Sequence, residues 1–430
     1  EICACLVGSE MCIRDRGNDA GFDRLINSYS YGGLFRNDMA WFQGDAVRKN
    51  PNLKPETTIS KEIGAEVRLL DGRLTADVTY YDKYTRDQIV ESELSYLSNY
   101  QRVIINSGKI SNKGWEISVS GVPVKVKNFE WKTIFNWSKN NSMVESLPEG
   151  IDKIQIGSGV YNVKSYAEVG KPYGAIYAKT FKRDAEGYIL CQLDGSPKEG
   201  QDYEYLGCVQ ADWRGGWNNV FRLGNFSFSV MFDFQKGGKF FSQTSIQSSV
   251  DGQSVKSLEG RDADFFSRKI LGESDEERYG FMRPQNANTP TANGQIYPDW
   301  GRPKGVVLPN CRYDEDVEGL AGQQVLGYCT PERYWMHYTS RDISRFIYDA
   351  SYVKLREITV SYDLPKKWLR KTPFQTFRVA AVGRNIATLF ANTPHGLDPQ
   401  ATSTTGNAQG FERGFNLPSA TYGFDIKVSF

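Results

Sequence analysis

The sequence predicts an all-β chain, an antiparallel transmembrane β-barrel that is incomplete, with long extracellular loops. Three observations carry this. Several segments alternate strictly between apolar and polar residues, the signature of strands with two different faces. The apolar face of those segments is heavily aromatic, in a chain with 24 Tyr and 24 Phe among 430 residues. The connections between segments alternate between short turns and long loops, as in barrels that span an outer membrane.

The clearest segment is NFSFSVMFDFQKGG. Phe226, Phe228, Val230, Phe232 and Phe234 fall on one face, against Ser227, Ser229, Met231 and Asp233. Nine residues at about 3.3 Å each span roughly 30 Å, or about 23 Å when tilted, matching an outer-membrane apolar band. Phe129, Trp131, Phe135 and Trp137 repeat the pattern opposite Glu130, Lys132 and Asn136. So do Trp115, Ile117 and Val119 opposite Glu116, Ser118 and Ser120, and Leu74, Ala76, Val78 and Tyr80 opposite Thr75, Asp77 and Thr79. The final segment groups Tyr422, Phe424, Ile426, Val428 and Phe430 against Asp425, Lys427 and Ser429. A soluble β-sandwich also alternates. Its strands average about 5–6 residues, whereas the segments here are commonly 10–14 residues long.

Short turns are expected at Leu70-Asp71-Gly72, Val126-Lys127-Asn128, Gly224-Asn225 and Pro365 to Lys371, with long loops near 88–108, 143–212, 238–350 and 388–420. This alternation yields nine strands from about Thr57 to Phe430. The extended stretch from Pro172 to Asp184 would break it, so it belongs within an outer loop, as a hairpin with GYILCQLD.

Net charge is +1, which offers no global field for a nucleic-acid partner. The two histidines, His337 and His395, are far apart and read as loop residues. A Ser-His-Asp triad or a His-rich metal site is poorly supplied, and no catalytic site, metal or cofactor is expected. The segment around Asp184, Asp194, Asp202 and Glu204 lacks the spacing of a calcium loop and reads as a plain turn. Outside the first sixteen residues, Cys191 with Cys208 and Cys311 with Cys329 form two local pairs. They suit either two loop-closing disulfides in an oxidising compartment or four thiols.

Three motifs carry a resemblance. NPNLKPET contains Asn50, Pro51, Leu53 and Glu56. NSGKISNKGWEI contains Asn106, Gly108, Asn112, Gly114 and Glu116. DASYVKLREITVSYDLP contains Asp349, Ser351, Tyr352, Leu355 and Pro365, with Lys354 at the position usually held by Arg. Together with GRNIATLF, the Leu397 to Pro399 triplet and the terminal Phe430, residues 40–430 resemble the SusC/RagA branch of the TonB-dependent outer-membrane transporters. Gly108 and Gly114 read as sites of positive φ or a bulge. The apolar parity of Asp349 to Pro365 switches between Leu355 and Ile358, which predicts a bulge near Leu355 to Glu357.

The resemblance implies a plugged barrel of about 22 strands in the outer membrane of a Gram-negative bacterium. It implies import of glycan oligomers or peptides beneath a SusD-like surface lipoprotein, driven by TonB-ExbB-ExbD. The plug, TonB box and signal peptide belong to the N-terminal half of such a protein and are not expected within these residues. A siderophore or cobalamin receptor, a surface adhesin or glycan-binding β-protein, and a secreted β-rich enzyme are the competing readings. Within 238–350, Tyr297, Trp300, Tyr334 and Trp335 are candidate substrate contacts, or pack the loop's own core or its interface with the lid. Arg261 to Phe281 is a candidate short helix.

The opening EICACLVGSEMCIRDR continues into no strand or helix pattern. It is similar to a translated sequencing-library adapter, so 1–16 is expected to be non-native, 17–56 a loop leading into the first complete strand, and 57–430 the barrel portion. Such a piece should form an open curved sheet whose first strands are unpaired on one side.

Overall fold

The structure, a computed structural model, describes residues 9–18, 24–35, 39–258 except 95, 160 and 194, 306–329, 334–400 except 395, 409–414 and 419–430. One long antiparallel sheet organises the chain. Its strands in spatial order are β1 (Ser9–Asn18), β2 (Glu56–Leu69), β3 (Leu74–Glu93), β4 (Arg102–Val126), β5 (Phe129–Ser146), β6 (Trp213–Leu223), β7 (Phe226–Lys236), β8 (Tyr352–Asp363), β9 (Thr376–Ala391) and β10 (Thr421–Ser429). The nine strands from β2 onward are the nine the turn pattern predicts. The sheet is open: among the described residues, no rung joins β10 to β1.

The short connections fall where turn chemistry puts them. Leu70, Asp71 and Gly72 all adopt positive φ in the β2–β3 turn. Lys127 and Asn128 join β4 to β5, and Gly224 (φ 58°) with Asn225 joins β6 to β7. The basic PKKWLRK stretch winds into one turn of helix, Lys366–Leu369, between β8 and β9.

Register aligns the apolar faces across the whole sheet. One row runs Val67, Ala76, Val119, Phe135, Trp217, Phe232, Leu355, Ala387. A second runs Val124, Trp131, Phe221, Phe228, Val360, Ala381, Phe424. Rings stack along these rows, with Trp217 and Phe232 centroids 5.9 Å apart and Phe221 and Phe228 6.1 Å apart. Phe226 and Phe228 remain 58% and 39% exposed, unlike the inner face of a sandwich. A one-residue slip would turn every one of these rings to the other side, so the register is strongly specified.

Two expectations about the strands need correction. β3, β4 and β5 contain 20, 25 and 18 residues, well beyond the expected 10–14. The loop expected at 88–108 therefore shrinks to 94–101, because both flanking strands continue pairing past the apolar band. These extensions carry polar residues on both faces and so lack the alternation that marks the lower strands. The second correction concerns the edge. β2 is not unpaired: β1 runs antiparallel to it from Ser9↔Ala65 to Asn18↔Glu56. Backbone amides and carbonyls suffice for such a ladder, whatever the side chains. Within 17–56, Tyr29–Phe35 and Met39–Gly44 form a separate hairpin.

The long loops fold together into a packed outer unit. Glu199–Cys208, Ala175–Phe181, Lys164–Glu168 and Lys153–Ser158 form a four-stranded sheet, so 172–184 lies off the barrel as expected. Its main partners are Glu199–Cys208 and Lys164–Glu168, however. The predicted hairpin with GYILCQLD survives only as a bridge between Arg183 and Ile189. Two small three-stranded sheets complete the unit, one of them pairing Phe241 with Phe411 and Ser242 with Glu412. The shared core includes Ile176, Phe181, Phe241, Trp335, Phe346 and Phe411. The Glu412 carboxylate accepts hydrogen bonds from Ser242 Oγ (2.6 Å) and from Thr244 N (3.1 Å) and Oγ1 (2.6 Å), tying the last loop to the start of helix α1 (Gln243–Val250).

Among the described residues, neither candidate disulfide is present. Cys208 carries a thiol that donates to the Tyr173 carbonyl at 3.5 Å, while Cys191 is buried in the core of the outer unit. The register places Cys311 opposite Val325 and Cys329 opposite Val306. Four positions along a strand separate the pair by roughly 13 Å, about twice the Cα span a disulfide bridges.

Candidate functional site: the inner wall beneath the outer loops

The face opposite the aromatic rows is polar, and the outer unit packs against its upper part. Ile110 and Val144 on the wall meet Ala167, Ile156 and Tyr173 of the loops. This makes it the inner face. The three sequence motifs shape its rim.

Asn50 opens the first motif as an Asx turn, its Oδ1 accepting from Asn52 N at 3.0 Å. Asn106 of the second motif then clamps the first: its Oδ1 accepts from Lys54 N (2.9 Å) and its Nδ2 donates to Lys54 O (2.8 Å) and Asp87 O (2.7 Å). Asp87 has φ 56°, just past the last β2–β3 pair, Thr57↔Arg86, and is skipped in the β3–β4 ladder. Glu56 accepts from Ile89 N at 2.7 Å. Pro51 and the buried Leu53 lie in the turn between these anchors.

Gly108 and Gly114 do not adopt positive φ. They are required by close approach. A Cβ on Gly108 would stand 1.9 Å from Ser146 O, beside a register shift at Lys109/Ile110. A Cβ on Gly114 would stand 2.3 Å from Tyr81 Oη and 2.4 Å from Lys139 O. Tyr81 lies across Gly114 so that its hydroxyl can bond Asn140 Oδ1 (3.0 Å), whose amide continues to Asn112 Oδ1 (3.2 Å). Glu116 faces inward beyond this chain and lines the wall cavity described below.

The third motif makes the corner at which the 238–350 loop returns to the wall. Asp349 Oδ1 accepts from Ser351 N (2.9 Å) and Asn392 Nδ2 (3.1 Å), and Ser351 Oγ accepts from Gly237 N (2.8 Å). Burial pushes the Asp349 carboxyl up, but the Ser351 and Asn392 bonds and the nearby Lys239 outweigh it and hold it at about 2. The predicted bulge is present: pairing slips between Leu355 and Glu357, leaving Arg356 as the extra residue. Its guanidinium turns to Asp233 (Nε 3.1 Å), Asn385 (2.8 Å) and Gln400 (2.7 Å). Lys354, only 5% exposed, bonds both oxygens of Asp398 and Gln400 Oε1. Tyr352, also buried, contacts Asp233 and Gln400. Pro365 ends the segment, and Phe430 rests on Phe374 at 5.3 Å.

Two cavities open on this wall. The upper, about 490 Å³, lies between Ser138, Asn140 and Arg214 of the wall and Tyr173, Gln210 and Gln409 of the loops. The lower, about 450 Å³, is lined by Asp77, Glu116, Asn136, Ser138, Arg214 and Asp233. Ser138 and Arg214 line both, so the two adjoin. The Tyr173 hydroxyl is buried at the upper cavity without a hydrogen-bond partner, and desolvation pushes its pKa well up. Arg214 is held by Gln235 Oε1 at 2.9 Å through Nε alone among the described contacts.

The predicted substrate contacts fare differently. Tyr334 and Trp335 are each 1% exposed, in a single π-helical turn at the heart of the outer unit. They pack the loop core and are withdrawn from any ligand. Tyr297, Trp300 and the candidate helix from Arg261 to Phe281 lie outside the described residues. The wall residues Ser138 and Arg214 were not anticipated, because each sits in a segment whose only sequence signal is alternation.

Comparison with known proteins agrees with this geometry. Residues 21–386 match the family "TonB dependent receptor-like, beta-barrel". TonB-dependent receptor P3 of Formosa agariphila is 25% identical over 395 residues, covering 87% of this chain and 33% of that protein. TonB-dependent receptor SusC of Bacteroides thetaiotaomicron is 29% identical over 104 residues, covering 24% of this chain and 10% of that protein. The structure of the RagAB peptide transporter matches with a TM-score of 0.64 at 16% identity, covering 98% of this chain and 40% of that one. The chain thus spans about a third of the length of the P3 receptor. That family consists of transporters rather than enzymes, and this chain belongs to it: it is a member of the TonB-dependent receptor β-barrel family.

Proposed function

We propose that the chain forms wall and outer loops of a Gram-negative outer-membrane importer of glycan oligosaccharides or peptides. The importer would work beneath a SusD-like lipoprotein and draw energy from TonB-ExbB-ExbD. The observation that carries this is a pair of adjoining inner-wall cavities roofed by a folded loop unit: neutral hydrogen-bonding groups line the upper, Asp77, Glu116 and Asp233 join the lining of the lower, and Arg214 lines both. Groups of these kinds suit hydroxyl-rich or amide-rich cargo. The likeness to the RagAB peptide transporter supports peptide cargo over siderophores. Tyr297 and Trp300 are proposed as further cargo contacts. The test is uptake: a strain lacking the whole receptor should lose growth on particular oligosaccharides or peptides. Complementation should restore growth, and the Arg214→Ala receptor should restore it only weakly. Unchanged growth on every glycan and peptide tried would overturn the reading.

A further inference from the structure

The four-stranded outer sheet has two unlike faces. Val163, Ile176 and Ala178 point into the core of the outer unit, and Ala167 into the contact with the wall. The opposite face carries Lys153, Lys164, Tyr166, Tyr177, Tyr203 and Tyr205. On it, rings and ammonium groups alternate. Tyr166, Tyr177 and Tyr205 stand on three adjacent strands, with successive ring centroids 5.1 and 5.7 Å apart. The Lys153 ammonium lies 5.4 and 5.5 Å from the centroids of Tyr166 and Tyr177. Lys171 lies 5.1 and 4.6 Å from those of Tyr177 and Tyr205. Beside this row, Lys164 lies 4.7 Å from that of Tyr203. Tyr177 is covered by its neighbours, whereas Lys153 and Tyr205 are exposed. Among the described contacts, Lys171 pairs with Glu168 at 3.1 Å and Lys179 with Glu199 at 3.4 Å, while Lys153 and Lys164 are held by rings and by no carboxylate. A ring face holds a cation without neutralising it, so the face keeps a positive excess.

We propose that this face captures acidic oligosaccharide cargo, sugars that carry a carboxylate or sulfate at regular intervals. The inference rests on the import reading above and deepens it by naming the cargo. An ammonium set between each pair of rings suits a chain that repeats an anionic group beside an apolar sugar face. Three strands make the row about 10 Å long, enough for more than one such group. An extended acidic peptide would instead join a sheet edge through its backbone, yet Lys153 and Lys171 hold their ammonium groups over Tyr177, on an inner strand. The row also leads to the wall. Tyr177 pairs with Tyr205 and Ala175 with Cys208, and Tyr173, Gly174, Val209 and Gln210 just beyond line the upper cavity, where Arg214 supplies a further cation. The carboxylates of Asp77 and Glu116 lie in the lower cavity, past Arg214.

The test measures binding to the full chain in detergent micelles by isothermal titration calorimetry. The probes are oligogalacturonate, a sulfated galactan oligomer, the matching neutral forms (methyl-esterified or desulfated) and oligoglutamate. At least one of the two acidic sugars should bind, and its neutral form about tenfold more weakly. K153Q/K164Q should weaken the acidic sugar about tenfold, and so should salt at about 0.5 M. K153R/K164R should retain it, which separates charge from packing, with near-UV circular dichroism showing both variants folded. K366Q/K367Q, in the short turn between β8 and β9, should leave it unchanged. Binding of neither acidic sugar, equal binding of the neutral form, or full binding by K153Q/K164Q would overturn the proposal. So would a loss in K153R/K164R as large as in K153Q/K164Q. Oligoglutamate binding as tightly as the acidic sugar would also overturn it, marking a surface for an acidic protein. A receptor that supports growth on neutral glycans yet fails here loses this inference alone, because the import reading fails only in the uptake test.

Discussion

The Lys354 ammonium lies 2.5 and 2.6 Å from the two carboxylate oxygens of Asp398, joining two of the sequence motifs inside the barrel wall. Lys354 belongs to the segment that begins β8, and Asp398 to the Leu397 to Pro399 triplet of the following loop. Both side chains are nearly buried, at 7% and 12% exposure. Removing one partner strands the other charge. Lys354→Met should therefore destabilise the protein by about 3–5 kcal/mol, measured by urea unfolding in micelles. Lys354→Arg should cost far less, because the guanidinium keeps the pairing.

Asp314 makes the outer unit sensitive to acid. Burial pushes its carboxyl up, but Lys198, Lys182 and the Glu315 amide more than reverse this and hold it at about 2. A depressed carboxyl contributes stability above its unfolded value, and the contribution disappears as pH falls through the folded one. The gain should amount to about 2 kcal/mol, present above pH 4 and lost toward pH 2. Near-UV circular dichroism of the buried aromatics should follow that loss. Asp314→Asn should flatten the change across this window.

Gly114 leaves no room for a methyl group. Gly114→Ala should displace Tyr81 and strain the contact with Lys139 O, costing about 1–3 kcal/mol. Tyr81→Phe keeps the ring and loses only the bond to Asn140, so it should cost about 1 kcal/mol. A G114A effect no larger than that of Y81F in thermal melts would sink this account of the glycine.

The two faces of β7 should respond oppositely to charge. Phe228→Arg places a guanidinium among the lipid-facing rings and should cost about 2–4 kcal/mol in vesicles. Ser229→Arg, one residue on, enters the aqueous face and should be nearly neutral. Equal costs would mean that the aromatic rows do not face hydrocarbon.

Cys208 should be alkylated after unfolding without prior reduction, because its thiol donates to Tyr173 O rather than joining Cys191. In the folded protein burial raises its pKa, so labelling near neutral pH should be slow.

The spanning wall was legible because two local rules coincide there. Phe226 to Phe234 alternate with period two, and Gly224-Asn225 supplies a tight turn beside them. Each such coincidence fixed one strand pair, and the nine strands followed. The bulge at Arg356 was legible for the same reason, since a slip of parity is itself a local signal. The outer unit was not. Its contacts join residues far apart in the chain, such as Lys182 with Asp314 and Ser242 with Glu412, and no periodicity records them. Tyr334 and Trp335 show the cost: their aromatic character fits a ligand platform as well as a core, and only burial separates the two. Cys191 and Cys311 misled in a similar way, since proximity along the chain says nothing about register. Gly114 was correctly singled out for the wrong cause, because a neighbour's ring, not its own φ, demands the missing side chain.

The pairing of Ser9–Asn18 with β2 has a wider consequence. Amides at the margin of a sheet are indifferent to whose carbonyls they meet, so adhesion there carries no pedigree. Deeper in the wall, Trp217 accepts its neighbours by shape and by grease. At the rim any extended ribbon of suitable length is welcome, and kinship must be read from the interior seams.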